Sequence, residues 1–224
     1  MISRRVGAPV LALALAASST GCANTVAGTA TSPGARLDRT VLSAADFPRG
    51  VQYDRIVEKP GLPDGEGGPP AMLSKPEGCS DGLTKVIAAS AERGAGSASK
   101  YSVAYDGARI VMTVLTWNLD LDELSATAQR CASYQTFFDP SSDGIPMTTT
   151  ELQTPRQDAL TYQQTMDLNG AKSSVFFSFE NVGTMAVFGI AFPTPNPGIA
   201  VKGPLPQTFL DVHDKQADRL LQNG

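Results

Sequence analysis

Apolar and polar residues alternate along seven segments of the chain, and a period of two predicts β-strands that are half buried. Asp106-Gly107 and Asn169-Gly170 lie between neighbouring segments. Such pairs favour two-residue hairpin turns because glycine adopts a positive φ easily. The predicted strands cover residues 51–57, 100–105, 109–117, 147–153, 158–167, 173–181 and 184–192.

Three other segments show the period of 3.6 that predicts amphipathic helices. Ser80 can cap the first, of about twelve residues, and Asp120 or Asp122 can cap the second, from Glu123 to about Phe137. The third covers 205–221. Hairpin turns rather than βαβ alternation join the strands. We therefore predict an α+β fold, an antiparallel sheet of about six or seven strands packed with two or three helices.

Two segments rich in proline and glycine interrupt this pattern. Residues 59–78 hold five prolines and five glycines, and residues 193–206 form a second proline-rich loop. Irregular loops as long as the first are usually functional or mobile. We expect the first loop to form part of a binding rim.

The N-terminus carries the pattern of a cleaved export signal. Arg4 and Arg5 precede an apolar run over 6–17, which is shorter than the roughly 20 residues that span a bilayer. Gly21 before Cys22 suits lipoprotein processing, in which the cysteine thiol receives diacylglycerol and its amine an acyl chain. We predict a signal peptide at 1–21, a lipidated Cys22 with a flexible tether to residue 37, and one domain at 38–224. The predicted location is the outer face of the cytoplasmic membrane.

The composition and net charge of the chain restrict the classes of partner that it can bind. Removal of Arg4 and Arg5 with the signal lowers the net charge from -4 to -6, and Lys and Arg form no cluster. An acidic chain without a basic patch is a poor candidate for binding nucleic acid or an anionic membrane surface. We expect membrane contact through the lipid alone.

The cysteine count supports export. Assigning Cys22 to lipid leaves Cys79 and Cys131, and a disulfide is the default for such a pair in an oxidising compartment.

Catalytic and metal-binding signatures are weak. The only histidine is His213, and no G-x-S-x-G nucleophile elbow accompanies it, so we expect a solvated helix position and no enzyme activity. Asp120 and Asp122 resemble the start of a calcium loop, but the glycine and glutamate of an EF-hand are missing. A capped helix start explains both acids, and we expect neither metal nor cofactor.

Aromatic residues concentrate on the last two predicted strands. Phe177 and Phe179 share one face of their strand, and Phe188 lies on the next. They could form a sheet core covered by helices, or a hydrophobic pocket with Trp117. These four residues are the candidate pocket lining.

Short motifs add a family resemblance. Residues 25–30, Thr-Val-Ala-Gly-Thr-Ala, resemble the start of many mycobacterial lipoproteins. Four features then follow one another along the chain: Leu-Ser-Ala-Ala-Asp-Phe-Pro at 42–48, Pro-Glu-Gly-Cys at 76–79, a hairpin, and Arg130-Cys131. This order is similar to that of the PknH-type extracellular sensor domain and its lipoprotein relatives. The resemblance covers most of 38–222 and implies a non-enzymatic α+β domain whose cleft binds a ligand outside the cell.

These observations predict a lipid-anchored, ligand-binding or sensor-like module whose partner is a small molecule, a lipid or an envelope protein. A carrier of lipid through the envelope and a structural lipoprotein without a pocket are the alternatives.

Overall fold

The computed structural model describes residues 35–57, 72–94, 96–105, 107–194 and 205–223. The predicted signal peptide, Cys22 and most of the tether lie outside the described residues. So do most of the first proline-rich loop and much of the second. The strands are β1 Gln52–Ile56, β2 Leu73–Lys75, β3 Ala98–Tyr105, β4 Ala108–Leu115, β5 Ser133–Phe137, β6 Ile145–Glu151, β7 Ala159–Leu168, β8 Ala171–Val182 and β9 Met185–Pro193. The helices are α1 Ala35–Thr40, α2 Lys85–Glu92, α3 Leu121–Arg130 and α4 Leu205–Asn223.

All nine strands belong to one antiparallel sheet, in the order β1-β3-β4-β9-β8-β7-β6-β5-β2. The prediction of six or seven strands with two or three helices was therefore wrong. The described fold is mostly sheet and carries four helices.

Two strands and one helix account for the difference. We predicted one helix from Glu123 to about Phe137, but α3 ends at Arg130 and β5 follows at Ser133–Phe137. Tyr134 lies three residues after Cys131, a spacing that fits a helix as well as a strand. The three-residue β2 lies at the sheet edge, within the loop predicted to be irregular. Helix α1 begins before the predicted domain start, and its Leu37 is buried.

The predicted hairpins form as their turn residues indicate. Gly107 has a φ of 79° between β3 and β4. Asn169 and Gly170 have φ values of 54° and 88° between β7 and β8. Both central residues of a type I′ turn need a positive φ, which asparagine and glycine tolerate best.

The helices cover both faces of the sheet. Helices α4 and α1 pack on one side, which we call the α4 face, over the core that holds Met112, Phe209 and Leu220. Helices α2 and α3 contribute Val86 and Leu124 to a second core on the opposite side, the α3 face. Because side chains alternate along a strand, consecutive residues contribute to different cores. None of the described helices is long and apolar enough to cross a membrane.

Candidate functional site

An apolar cleft of 230 Å³ opens on the α3 face, between the residue that precedes α2 and strands β6 to β9. Its floor is formed by side chains that are almost fully buried, and its rim includes Phe192, which is 37% exposed. No charged side chain is among the described residues that line it. The lining residues are Thr84, Met147, Gln164, Met166, Ser173, Val175, Phe177, Ile190 and Phe192.

Strand register brings the walls of the cleft together. Met147 on β6 pairs with Met166 on β7, and Phe177 on β8 pairs with Ile190 on β9. Residues directly opposite in antiparallel strands have Cβ atoms about 4.5–5.5 Å apart, so these pairs form continuous apolar surfaces. The thioethers of the two methionines are flexible and adapt to ligands of different shape.

The disulfide supports one wall of this cleft. The predicted bond between Cys79 and Cys131 is present, with Cα atoms 5.5 Å apart. Both cysteines pack with Tyr134, and Met147 packs against this cluster. Burial raises the pKa of Tyr134 to about 12, so its phenol stays neutral at physiological pH. The disulfide thus fixes the chain at the start of β5, the strand whose Tyr134 pairs with Met147.

Gln164 is the polar residue in the cleft floor. Its side chain is only 8% exposed, and its Nε2 donates to Thr149 Oγ1 at 3.4 Å. Among the described residues, no donor contacts its carbonyl oxygen Oε1. The neighbouring Gln163 points to the other face, where its Nε2 donates to Ser174 Oγ at 2.9 Å and to Thr165 Oγ1 at 3.3 Å.

The four residues predicted to line a pocket lie in one cluster, and one of them lines the cleft. Phe177 forms part of the floor. Phe179 and Phe188 stack with ring centroids 5.0 Å apart and are buried in the core beneath the helices. Trp117 packs at the margin of this core, with the Arg93 guanidinium 4.1 Å from its ring centroid. The aromatic pattern points to the face on which the cleft opens, but it did not include the methionines and Gln164.

The expected solvated position of His213 was wrong. His213 is fully buried on the α4 face, where Nδ1 lies 2.8 Å from Ser178 Oγ and Nε2 lies 3.0 Å from Glu180 Oε2. Arg156 binds both oxygens of Glu180, at 2.6 and 2.8 Å, and Asp218 at 2.9 Å. This chain of contacts joins β8, α4 and the loop before β7.

Electrostatics favour an ionised carboxylate in this network. Burial alone would raise the pKa of Glu180, but hydrogen bonds from His213 and Arg156 outweigh burial and lower it. Hydrogen bonding to Glu180 is the main reason that the pKa of Arg156 is raised. An ionised carboxylate can only accept, so Glu180 accepts from the Nε2–H of His213, and Nδ1 of the same ring lies within hydrogen-bond distance of the Ser178 hydroxyl.

A serine, a histidine and a carboxylate in contact resemble a hydrolase triad, but the geometry differs. Ser178 has no exposed surface and lies opposite Gly189 on β9. An added Cβ at Gly189 would lie 2.6 Å from Ser178 Oγ and 2.8 Å from Phe209 Cε2, so the helix packs closely there. A substrate cannot reach Ser178 Oγ in this arrangement, and the contacts serve to hold α4 on the sheet.

Of the two acidic residues predicted as possible caps of α3, Asp120 caps the helix and Asp122 lies in its first turn. Asp120 Oδ1 accepts from the backbone N–H of Glu123 at 2.9 Å, the arrangement expected of an N-cap. Within the described ranges, no three His, Cys, Asp or Glu side chains are grouped as metal ligands.

Comparisons with known proteins add little to this description. No protein-family model and no curated protein matches the chain. Among solved structures, it is similar to an uncharacterized protein from Mycobacterium smegmatis, an ortholog of Rv0999, with 10% sequence identity and a TM-score of 0.44. The match covers 79% of this chain and 92% of that protein. So distant a likeness carries no argument about function.

Proposed function

We propose that the protein is an extracytoplasmic, lipid-anchored module without enzyme activity that binds a small apolar ligand in the cleft on the α3 face. The observation that carries this proposal is the uncharged cleft between Thr84 and strands β6 to β9. Small-molecule sites are concave, mostly apolar and equipped with few polar groups. The described lining has this composition, with Gln164, Thr84 and Ser173 as its polar members.

Cleft size restricts the ligand. A volume of 230 Å³ lies just below the roughly 300–1,000 Å³ of typical small-molecule sites. The site therefore suits a small molecule or one end of a longer chain. This volume favours small-ligand binding over transport of a whole acyl lipid, and the presence of an open cleft favours both over a purely structural role.

The proposed attachment of the protein to the membrane outside the cell rests on the N-terminal sequence and on the disulfide. Cys22 after a short apolar run would receive the lipid, and the following residues would tether the domain to the outer face of the cytoplasmic membrane. The disulfide between Cys79 and Cys131 supports an exported location, since disulfides persist mainly in oxidising compartments. Intact mass of the mature native protein tests this part. A mass without added acyl groups would overturn it.

Occupancy of the cleft is tested by titrating the purified domain with toluene, which is apolar and cannot donate to an oxygen. We expect NMR shifts of the Met147, Met166 and Ile190 methyl groups, and loss of binding in Val175→Phe, which fills the cleft. Thr148→Phe is the matched control, because Thr148 is exposed on the opposite face of the sheet. Unchanged methyl resonances, or equal loss in both variants, would remove the support for a ligand site.

A further inference from the structure

Gln164 combines burial with an incomplete set of hydrogen bonds. A glutamine amide has two N–H donors and a carbonyl oxygen with two lone pairs. The one hydrogen bond that its side chain makes to a described residue is the 3.4 Å contact with Thr149 Oγ1. That distance lies at the long limit for a hydrogen bond. Much of the bonding capacity of this amide is therefore unused.

Because the side chain lines the cleft and no described residue donates to Oε1, this oxygen can accept only from solvent or from a ligand in the cleft. A leucine or methionine at position 164 would match the apolar lining and avoid the desolvation of an amide. Gln163 shows that an adjacent amide of this chain finds closer partners on the other face. Gln164 differs from it because its side chain lines an open cleft.

We propose that the cleft recognises a neutral amphiphile, whose hydroxyl or N–H group donates a hydrogen bond to Gln164 Oε1 while its apolar part packs against the methionines and Phe177. The inference rests on the proposed function and specifies its ligand. Nε2 already donates to Thr149, whereas no described residue donates to Oε1, so a ligand donor would supply the partner that is wholly missing. The apolar walls require the rest of the ligand to be hydrocarbon-like.

The residues that line the cleft indicate that the ligand carries no charge. No Lys, Arg or His is among the described residues that line the cleft, so a bound carboxylate would lose its hydration without gaining a counter-charge from the lining. Burial of an unpaired ion costs far more than burial of a hydrogen-bonded hydroxyl. The ligand class is thus a small alcohol or amide, or a larger molecule that presents such an end.

Isomeric probes isolate the hydrogen bond. 1-Heptanol and 1-methoxyhexane share one formula and eight non-hydrogen atoms, but only the alcohol carries a donor. Heptanoate adds a negative charge to a chain of the same carbon number. In an NMR titration of the Met147 and Met166 methyl groups, we expect the alcohol to bind about 10-fold more tightly than the ether. Heptanoate should bind more weakly than the alcohol at pH 7.

Substitution of Gln164 tests whether this residue causes the preference for the alcohol over the ether. In Gln164→Leu the ratio of alcohol to ether affinity should fall to about one, with the affinity for the ether nearly unchanged. Gln163→Leu removes the same amide from the opposite face and should keep the ratio. If Gln164→Leu does not fold, Gln164→Met preserves the side-chain length without the amide and gives the same comparison.

The possible results separate the two proposals. Equal affinity for alcohol and ether, or unchanged selectivity in Gln164→Met and Gln164→Leu, would overturn the role of Gln164. If toluene still binds in that case, the proposed apolar site survives without this recognition. If no probe shifts the cleft methyl groups, both proposals fail.

Discussion

Replacement of His213 by alanine tests whether the buried network holds α4 on the sheet. The imidazole has no exposed surface and contacts Ser178 Oγ at 2.8 Å and Glu180 Oε2 at 3.0 Å. His213→Ala removes both contacts and leaves a cavity between α4 and β8. Arg156 still binds Glu180, so the carboxylate keeps one charged partner.

The expected loss of stability is the sum of two hydrogen bonds and a cavity. A neutral hydrogen bond contributes about 1 kcal/mol, and one to a charged group contributes about 1.5–3 kcal/mol. The missing side chain adds a cavity penalty, so we expect a total loss of about 3–5 kcal/mol. Domains of this size are stable by roughly 5–15 kcal/mol, so the variant should be severely destabilised.

Urea denaturation at pH 7, followed by the fluorescence of Trp117, the single tryptophan of the chain, measures the free energy of unfolding. Asp218→Ala is the control, because Asp218 contacts the same Arg156 but its side chain is 57% exposed, and it should cost less than about 1 kcal/mol. Ser178→Ala, which removes only the contact with Nδ1, should cost about 1–2 kcal/mol and provides a measurable value if His213→Ala does not fold. A loss in His213→Ala no larger than in Asp218→Ala would refute the reasoning.

Two further predictions use the same measurement. The pKa of Glu180 in the folded state is below its usual value of 4.5, so its ionised carboxylate stabilises the fold above pH 4.5. This stabilisation is lost as the pH falls from 4.5 through the lowered pKa of the folded state. The stability difference between the wild type and Glu180→Gln should therefore shrink between pH 7 and pH 3, and a constant difference would contradict this. The double variant Cys79→Ser/Cys131→Ser should lose about 4 kcal/mol of unfolding free energy, because it frees a loop of 52 residues in the unfolded chain. A loss below about 1 kcal/mol would contradict a stabilising role of the disulfide.

Alternation of apolar and polar residues located the strands well where a segment was long and its two faces differed. It failed at β2 and β5 for separate reasons. β2 spans three residues, too few to establish a period. In β5, Tyr134 and Thr136 are buried in alternation, but Tyr134 also continues the helical spacing from Cys131. Local sequence does not decide between these periods, whereas pairing of β5 with β6 and β2 does.

The cleft was harder to predict than the sheet, because its walls depend on register. Met147 and Met166 lie nineteen residues apart and become neighbours only through the pairing of β6 with β7. The aromatic residues identified the face but not the opening. One signal for the buried network was present in the sequence. Ser178 and Glu180 are polar residues two positions apart in an apolar strand, so they share a face and need a polar partner there.

The buried acid–base groups and the apolar cleft lie on opposite faces of the sheet, and this separation agrees with the proposed binding function of the cleft. The α4 face holds groups capable of acid–base chemistry, Ser178, His213 and Glu180, but all three are at most 5% exposed. The described lining of the open cleft on the α3 face has no nucleophilic thiol, no histidine and no carboxylate. Catalysis needs reactive groups within hydrogen-bond reach of a substrate, whereas recognition needs only shape, apolar surface and a few hydrogen-bonding groups. The cleft meets the second requirement, and Gln164 supplies the hydrogen-bonding group that would distinguish one apolar ligand from another.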